Sequence, residues 1–124
     1  MLPKALRLSK PADFAAVLKS GRRAGTRQLA VHVLTGPGSV TDAPPRVGFV
    51  VSSKVGNSVV RHRVTRRLRA QVQLLLADLA DGTDVVVRAL PAAATATSSA
   101  LAADLRYALR KVGSAPTDRS MPSR

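Results

Sequence analysis

Cysteine, glutamate and isoleucine are all absent from this 124-residue chain. The missing cysteine excludes disulfides, thiolate metal sites and thiol nucleophiles. The acids number seven, all aspartate: Asp13, Asp42, Asp78, Asp81, Asp84, Asp104 and Asp118. They are scattered, with no close pair on one helical face. That argues against a two-carboxylate hydrolase and against a nuclease that holds two metals by itself. Histidine occurs twice, at His32 and His62, neither with a metal-ligating neighbour, so no protein-held zinc is expected. No side chain is assigned a catalytic role. Aromatics are limited to Phe14, Phe49 and Tyr107. No apolar run approaches the length of a membrane span, and no basic n-region with an apolar stretch after it opens the chain. The expectation is a cytoplasmic protein with neither a membrane nor a small-molecule partner.

Positive charge is abundant. Lys and Arg total 20 and the formal net charge is +13, while 45% of residues are hydrophobic. That apolar share supports a packed core despite the charge. The length fits one domain, placed at residues 1–113, and the Pro-, Ser- and charge-bearing residues 114–124 are expected to form a disordered tail. A small basic domain without catalytic groups points to a polyanion, either nucleic acid or an anionic membrane surface. Arg outnumbers Lys 15 to 5. Arg forks onto phosphate where Lys acts as a point charge. A GC-rich coding sequence explains the bias equally well, given the abundant alanine.

The hydropathy pattern alternates between helix and strand. Ser9 can cap a helix through Phe14, Val17 and Leu18 to about Ser20, with Gly21 as its stop. Residues 28–34 are β-prone, with Leu29, Val31 and Val33 on one face and His32 on the other. Residues 35–45 read as a loop and residues 46–52 as a buried strand. Asn57 can cap a long helix ending near Ala80, closed by Asp81-Gly82. Residues 84–90 form another strand, and Leu101, Leu105, Leu109 and Val112 mark a last helix. Three long strands are evident and a fourth, short one is possible. The unit from 46 to 90 is β-α-β, so its strands are expected to be parallel. The class is α+β, a small mixed sheet layered with helices in the order α-β-β-β-α-β-α.

The densest signal is the run Lys54 to Arg69, KVGNSVVRHRVTRRLR, which holds six of the basic residues and no acid. On a helix, Val60, Val64, Leu68, Val72, Leu75 and Leu79 make one apolar stripe, and His62, Arg63, Arg66, Arg69 and Gln73 fall opposite. A basic solvated face is the ordinary explanation for such a run. Here the arginines repel one another with no acid between them over nearly five turns, from Lys54 to Gln71, which favours a bound anion. The helix N-terminus after Gly56 adds free N–H groups suited to phosphate. A helix whose apolar stripe is committed to a core beside strands is a poor membrane anchor.

This run resembles the signature of the bacterial ribonuclease P protein subunit, in which Lys, Val, Gly and Asn lead into an Arg-Asn-Arg core, then a Lys-Arg pair and a further Arg. The resemblance continues in Arg7-Leu8 and Asp13-Phe14 with Val17-Leu18-Lys19 and Gly21, in Arg46–Ser52, in Asp84–Ala89 and in Pro91-Ala92-Ala93. It covers about residues 6 to 112. It implies a left-handed β-α-β crossover, against the usual hand. It also implies a protein that binds a large catalytic RNA and the 5′ leader of precursor tRNA, with the RNA and its Mg²⁺ performing the endonucleolytic cut. Three positions depart from the pattern: His62 replaces the middle Asn, Thr65 replaces the Lys, and Leu18 stands where an aromatic is common. A small ribosomal-type structural RNA-binding protein is the alternative that bare composition allows.

The resemblance assigns RNA contact to Lys54, Asn57, Arg61, His62, Arg63, Arg66, Arg67 and Arg69. Arg61 and Arg67 border the apolar stripe, so a structural flank role stands level with RNA contact for both. Phe14, Leu18 and His32 are assigned to a leader cleft between the first helix and the sheet, where an aromatic would stack on an unpaired base. Arg22, Arg23 and Arg27 form a second basic cluster, suited to phosphate or simply a solvated loop. Phe49 is read as core first, with a place in the cleft floor if strand alternation puts it there, and Tyr107 as core or helix surface.

Overall fold

A computed structural model of the chain describes residues 6–35 and 44–112. Most of the expected 35–45 loop and the whole of the expected 114–124 tail lie outside the described residues. The elements are α1 (Pro11–Ser20), β1 (Arg22–Gly25), β2 (Leu29–Thr35), β3 (Arg46–Val50), α2 (Ser58–Leu75), β4 (Thr83–Ala89) and α3 (Ser98–Lys111), in the expected α-β-β-β-α-β-α order.

Local chemistry accounts for most boundaries. Asn57 caps α2, its side-chain oxygen accepting from the Val60 N–H at 3.0 Å. Thr97 caps α3 through the Ala100 N–H at 3.1 Å. Ser9 does not cap α1; Lys10 takes that position without a side-chain bond, and Pro11 opens the helix with φ already suited to it. Ser9 instead follows an extended segment in which the Leu8 N–H donates to the Val47 carbonyl at 3.0 Å. The long helix stops at Leu75, short of Ala80, because a 3₁₀ turn at Leu76–Asp78 tightens the chain and delivers Leu79 into the core.

The sheet order is β1-β2-β4-β3. The pairs β1/β2 and β2/β4 are antiparallel and β3/β4 is parallel. The short fourth strand is β1, and it contains Arg22 and Arg23, two residues of the cluster that could equally have been a solvated loop. Charged residues suit this edge position because they discourage pairing with another chain.

Register divides the side chains between two faces. Leu29, Val31, Val33, Val47, Val85 and Val87 face α2 and α3, where they join Val64, Leu68, Val72, Leu101 and Leu105 in the main core. The opposite face carries Val86, Gly48, Leu34 and Val50, and α1 lies over it through Val17 and Phe14. Arg46 fastens this smaller layer. It forks onto Asp84 of β4 at 3.0 and 2.8 Å and reaches Asp13 of α1 at 3.3 Å. These groups are partly exposed, so solvent screening limits the pair to about 1 kcal/mol or less.

His32 follows the alternation of β2 onto the α1 face, as its position in sequence required, but it is no surface histidine: it is only 8% exposed. Arg23 of β1 stands directly opposite it, and Arg88 of β4 is two residues along from its other partner, Val86. Burial first, and the two arginines after it, hold the imidazole below the usual histidine range.

Two outcomes follow from this packing. A Cβ on Gly48 would run into the Phe14 ring, so Gly48→Ala should cost about 1–3 kcal/mol in urea unfolding. Combining it with Phe14→Ala should cost less than the two singles added together; strict additivity would place the ring elsewhere. The unfolded chain takes up a proton at His32 near pH 6.5 and the folded chain only at lower pH, so stability is flat above about 6.5 and falls below it. Urea midpoints between pH 7 and 5 should therefore decline less steeply for His32→Leu than for the parent protein.

Candidate nucleic-acid interface

α2 is pinned by its apolar stripe. Val64, Leu68 and Val72 are buried, and Val60 and Leu75 are half-buried against the core. Gly56 lets the chain turn tightly onto the helix, since a Cβ there would press on the Val60 side chain at 2.8 Å. This fixes how the basic residues are presented. Lys54, Asn57, Ser58, Val59, His62 and Arg66 are exposed, whereas Arg61, Arg63, Arg67 and Arg69 are half-buried.

The half-buried arginines divide by function. Arg63 donates to the Ala94 carbonyl at 3.3 Å and Arg67 to the Ala96 carbonyl at 2.8 Å. Both grip the 3₁₀ turn at Pro91–Thr95 and the residue after it, and so tie α2 to the approach to α3. Arg67 thus has the structural role left open for it in the sequence, and Arg63, expected on the open side, has one as well. Arg61 and Arg69 instead line a cleft. Thr65, where a Lys is usual, turns its hydroxyl back onto the Arg61 carbonyl at 2.8 Å.

That cleft measures about 650 Å³. One wall is the segment Arg7–Ser9 with Phe14 of α1; the floor is Val47, Gly48 and Phe49 of β3, continued by Val51; the other wall is Ser58, Arg61, His62, Thr65 and Arg69 of α2. A second depression, of about 600 Å³, lies on the outer side of α2 between Ser58, Val59, His62, Arg63 and Arg66. His62 borders both. Of the described acids, Asp13 and Asp84 are engaged by Arg46 and Asp104 by the Thr26 hydroxyl at 2.8 Å. Asp78 and Asp81 lie past the C-terminal end of α2. None of these lines either depression, so the cations there have no counter-charge among the described residues.

The three residues assigned to a leader cleft all lie on the α1 side of the sheet, and one of them borders the large cleft. Phe14 lines the large cleft beside the signature helix. His32 is mid-strand on the α1 face between Arg23 and Arg88, and Leu18 is 41% exposed; neither lines that cleft. The second basic cluster is split by strand alternation: Arg23 joins His32, Arg22 points to the other face, and Arg27 sits in the turn after β1. Sequence reasoning missed Arg7, Ser58 and Thr65 as cleft residues and Arg88 as the neighbour of His32. Phe49 is both: half-buried against the core and part of the cleft floor. Its place on an edge strand opens it to the cleft.

Comparison with known proteins agrees with this arrangement. The family model described as Ribonuclease P matches residues 2–113. The ribonuclease P protein component of Beutenbergia cavernae is 51% identical over 115 residues, covering 91% of this chain and 92% of that protein. That of Rhodococcus erythropolis is 46% identical over 116 residues, covering 90% and 92%. Among solved structures, the RNase P protein of Staphylococcus aureus superposes with a TM-score of 0.78 at 27% identity, covering 90% of this chain and 98% of that one. With its signature helix, its α+β topology and these relatives in agreement, the chain belongs to the bacterial ribonuclease P protein family.

Proposed function

We propose that the chain serves as the protein component of ribonuclease P, binding the catalytic RNA through α2 and supporting removal of the 5′ leader from precursor tRNA. The observation that carries this reading is the acid-free basic end of α2 opening onto a cleft, in a chain whose relatives are named ribonuclease P protein component. Exposed Lys54, His62 and Arg66, with Arg61 and Arg69 in the cleft, supply cations and donors for phosphate oxygens. His62 offers ring nitrogens for hydrogen bonding where the family has Asn. Phe14 is available to an unpaired base, and Arg23, Arg88 and His32 give the α1 face a second basic strip along which a single strand could run.

The cutting chemistry is assigned to the RNA partner. Mg²⁺ is assigned to the RNA with it. No described helix is long and apolar enough to cross a membrane, and the reading places the protein with its RNA in the cytoplasm. The ribosomal-type alternative has no support among the relatives.

The direct test mixes the purified chain with the catalytic RNA and a leader-bearing precursor tRNA at low Mg²⁺. Cleavage at the mature 5′ end should need the RNA and be strengthened by the protein; cleavage by the protein alone would overturn the reading. A second measurement separates binding arginines from structural ones. Replacing Arg66 and Arg69 by Ala should lower the salt dependence of RNA affinity by about one to two phosphate equivalents, each worth roughly 0.7 in the log–log slope for single strands. Arg67→Ala should leave that slope nearly unchanged and instead cost about 1–3 kcal/mol of stability, because it strips the Ala96 carbonyl of its partner.

A further inference from the structure

α3 packs against β1, β2 and α2, on the side of the sheet away from α1. Its buried residues, Leu101, Ala102, Leu105 and Ala108, share one side of the helix. At about 100° per residue, the opposite side carries Ser99, Ala103, Arg106, Tyr107 and Arg110, all of them exposed, with exposed Lys111 at its border. None of these residues lines either depression beside α2.

The stripe combines an open aromatic ring with unpaired cations. Tyr107 is 48% exposed in a chain with only three aromatics. The Lys111 ammonium stands 6.0 Å from the centre of its ring, at the outer limit of a cation–π contact, so it is weakly held there. Arg106 and Arg110 are four residues apart, a spacing at which like charges on a helix repel. Neither has a carboxylate partner among the described residues. Asp104, the single acid of α3, is turned aside to the Thr26 hydroxyl at 2.8 Å. Arg110 and Lys111 lie in the last turn, where cations offset the helix dipole; Arg106 lies a turn earlier and has no such role.

We propose that the outer face of α3 is a second RNA-binding surface, on which Tyr107 stacks against an unpaired base while Arg106, Arg110 and Lys111 hold the phosphates beside it. The proposal rests on the reading of the chain as a ribonuclease P protein and adds a contact on the far side of the sheet from α1. Every base has a flat π face, and single-strand sites pair such a face with an aromatic ring and flanking cations. An arriving base displaces the Lys111 ammonium from the ring and frees it for a phosphate. A membrane surface or a folded protein partner would need aliphatic bulk to bury, and the stripe has no aliphatic side chain larger than Ala103.

Tyr107 is the only tyrosine in the chain, so incorporated fluorotyrosine puts one fluorine probe on this face and nowhere else. The test follows its NMR signal in the full chain on adding the catalytic RNA and then leader-bearing precursor tRNA. Inorganic phosphate and phosphatidylglycerol vesicles are added in separate titrations. RNA should shift the signal saturably, and phosphate should not. Movement with the catalytic RNA alone assigns the base to that RNA; movement only with the precursor assigns it to the tRNA. Affinity is the second readout. Tyr107→Ala should weaken binding of that RNA about tenfold, near the lower bound for one base–aromatic stack, and Tyr107→Phe should bind like the parent. Replacing Arg106 and Arg110 together by Gln should lower the log–log salt slope by about 1.4, two phosphates at roughly 0.7 each. Parental melting of these surface variants shows that the losses are in binding. A signal that stays fixed in a complex that assembles and cleaves overturns the surface and leaves the ribonuclease P reading standing. So does a signal that moves while the Ala and Gln variants bind like the parent. Movement with vesicles but not with RNA makes the face a membrane contact and also overturns the proposal. A chain that binds neither RNA overturns both readings.

Discussion

Two neighbouring strands that run the same way cannot be joined by a tight turn, and β3 and β4 run the same way. The chain must leave the end of β3, cross the sheet and return, and α2 makes that crossing. Its path decides which of its residues are buried. Val64, Leu68 and Val72 press onto the valine-rich face shared by β2, β3 and β4. β3 also stands at the sheet edge, its outer side met by the Arg7–Leu8 segment at Val47, beside the helix that has just departed from it. The cleft between β3 and α2 thus follows from the same constraint that organises the core.

Charge is distributed consistently with this geometry. The acids on the described part of the chain are spent on construction or kept at a distance. Arg46 collects Asp13 and Asp84 to hold α1 to the sheet, and Asp104 receives the Thr26 hydroxyl, joining the β1–β2 turn to α3. Two arginines of the signature are likewise spent inward, on the carbonyls of Ala94 and Ala96. These contacts make the first half of α2 a rigid platform rather than a freely moving basic arm. Cations held at preset positions lower the ordering cost of binding an anion. Mutating signature arginines as a set would therefore mix two effects, lost phosphate contact and a loosened joint between α2 and the approach to α3.

The α1 face shows a different economy. α1 covers the half bearing Leu34, Val86 and Gly48, and the close approach of Phe14 to Gly48 leaves no room for a side chain. The remainder carries Arg23, His32 and Arg88, cations around a buried imidazole kept neutral by its surroundings. A protonated histidine would add a third positive charge in a partly dry site. A neutral one keeps hydrogen-bonding capacity without that repulsion.

Much of this was legible without coordinates, because it depends on near neighbours in sequence. The period of Val60, Val64, Leu68 and Val72, the cap at Asn57, the alternation of Leu29, Val31 and Val33, and the unbroken basic run identified the helix, the strand, the family and the kind of partner. Only the tertiary structure could show that Arg22–Gly25 is a strand, since four polar and small residues become one only when β2 supplies the ladder. The same holds for the separation of Arg63 and Arg67 from Arg61 and Arg69. All four lie on one basic run, and what distinguishes them is the presence of two carbonyls about 30 residues away in sequence. Phe49 looked like core because β3 is apolar, and it also lines the cleft because no strand pairs beyond it. Local pattern determined which elements form and what charge they carry; long-range pairing decided which of those charges remain available to another molecule.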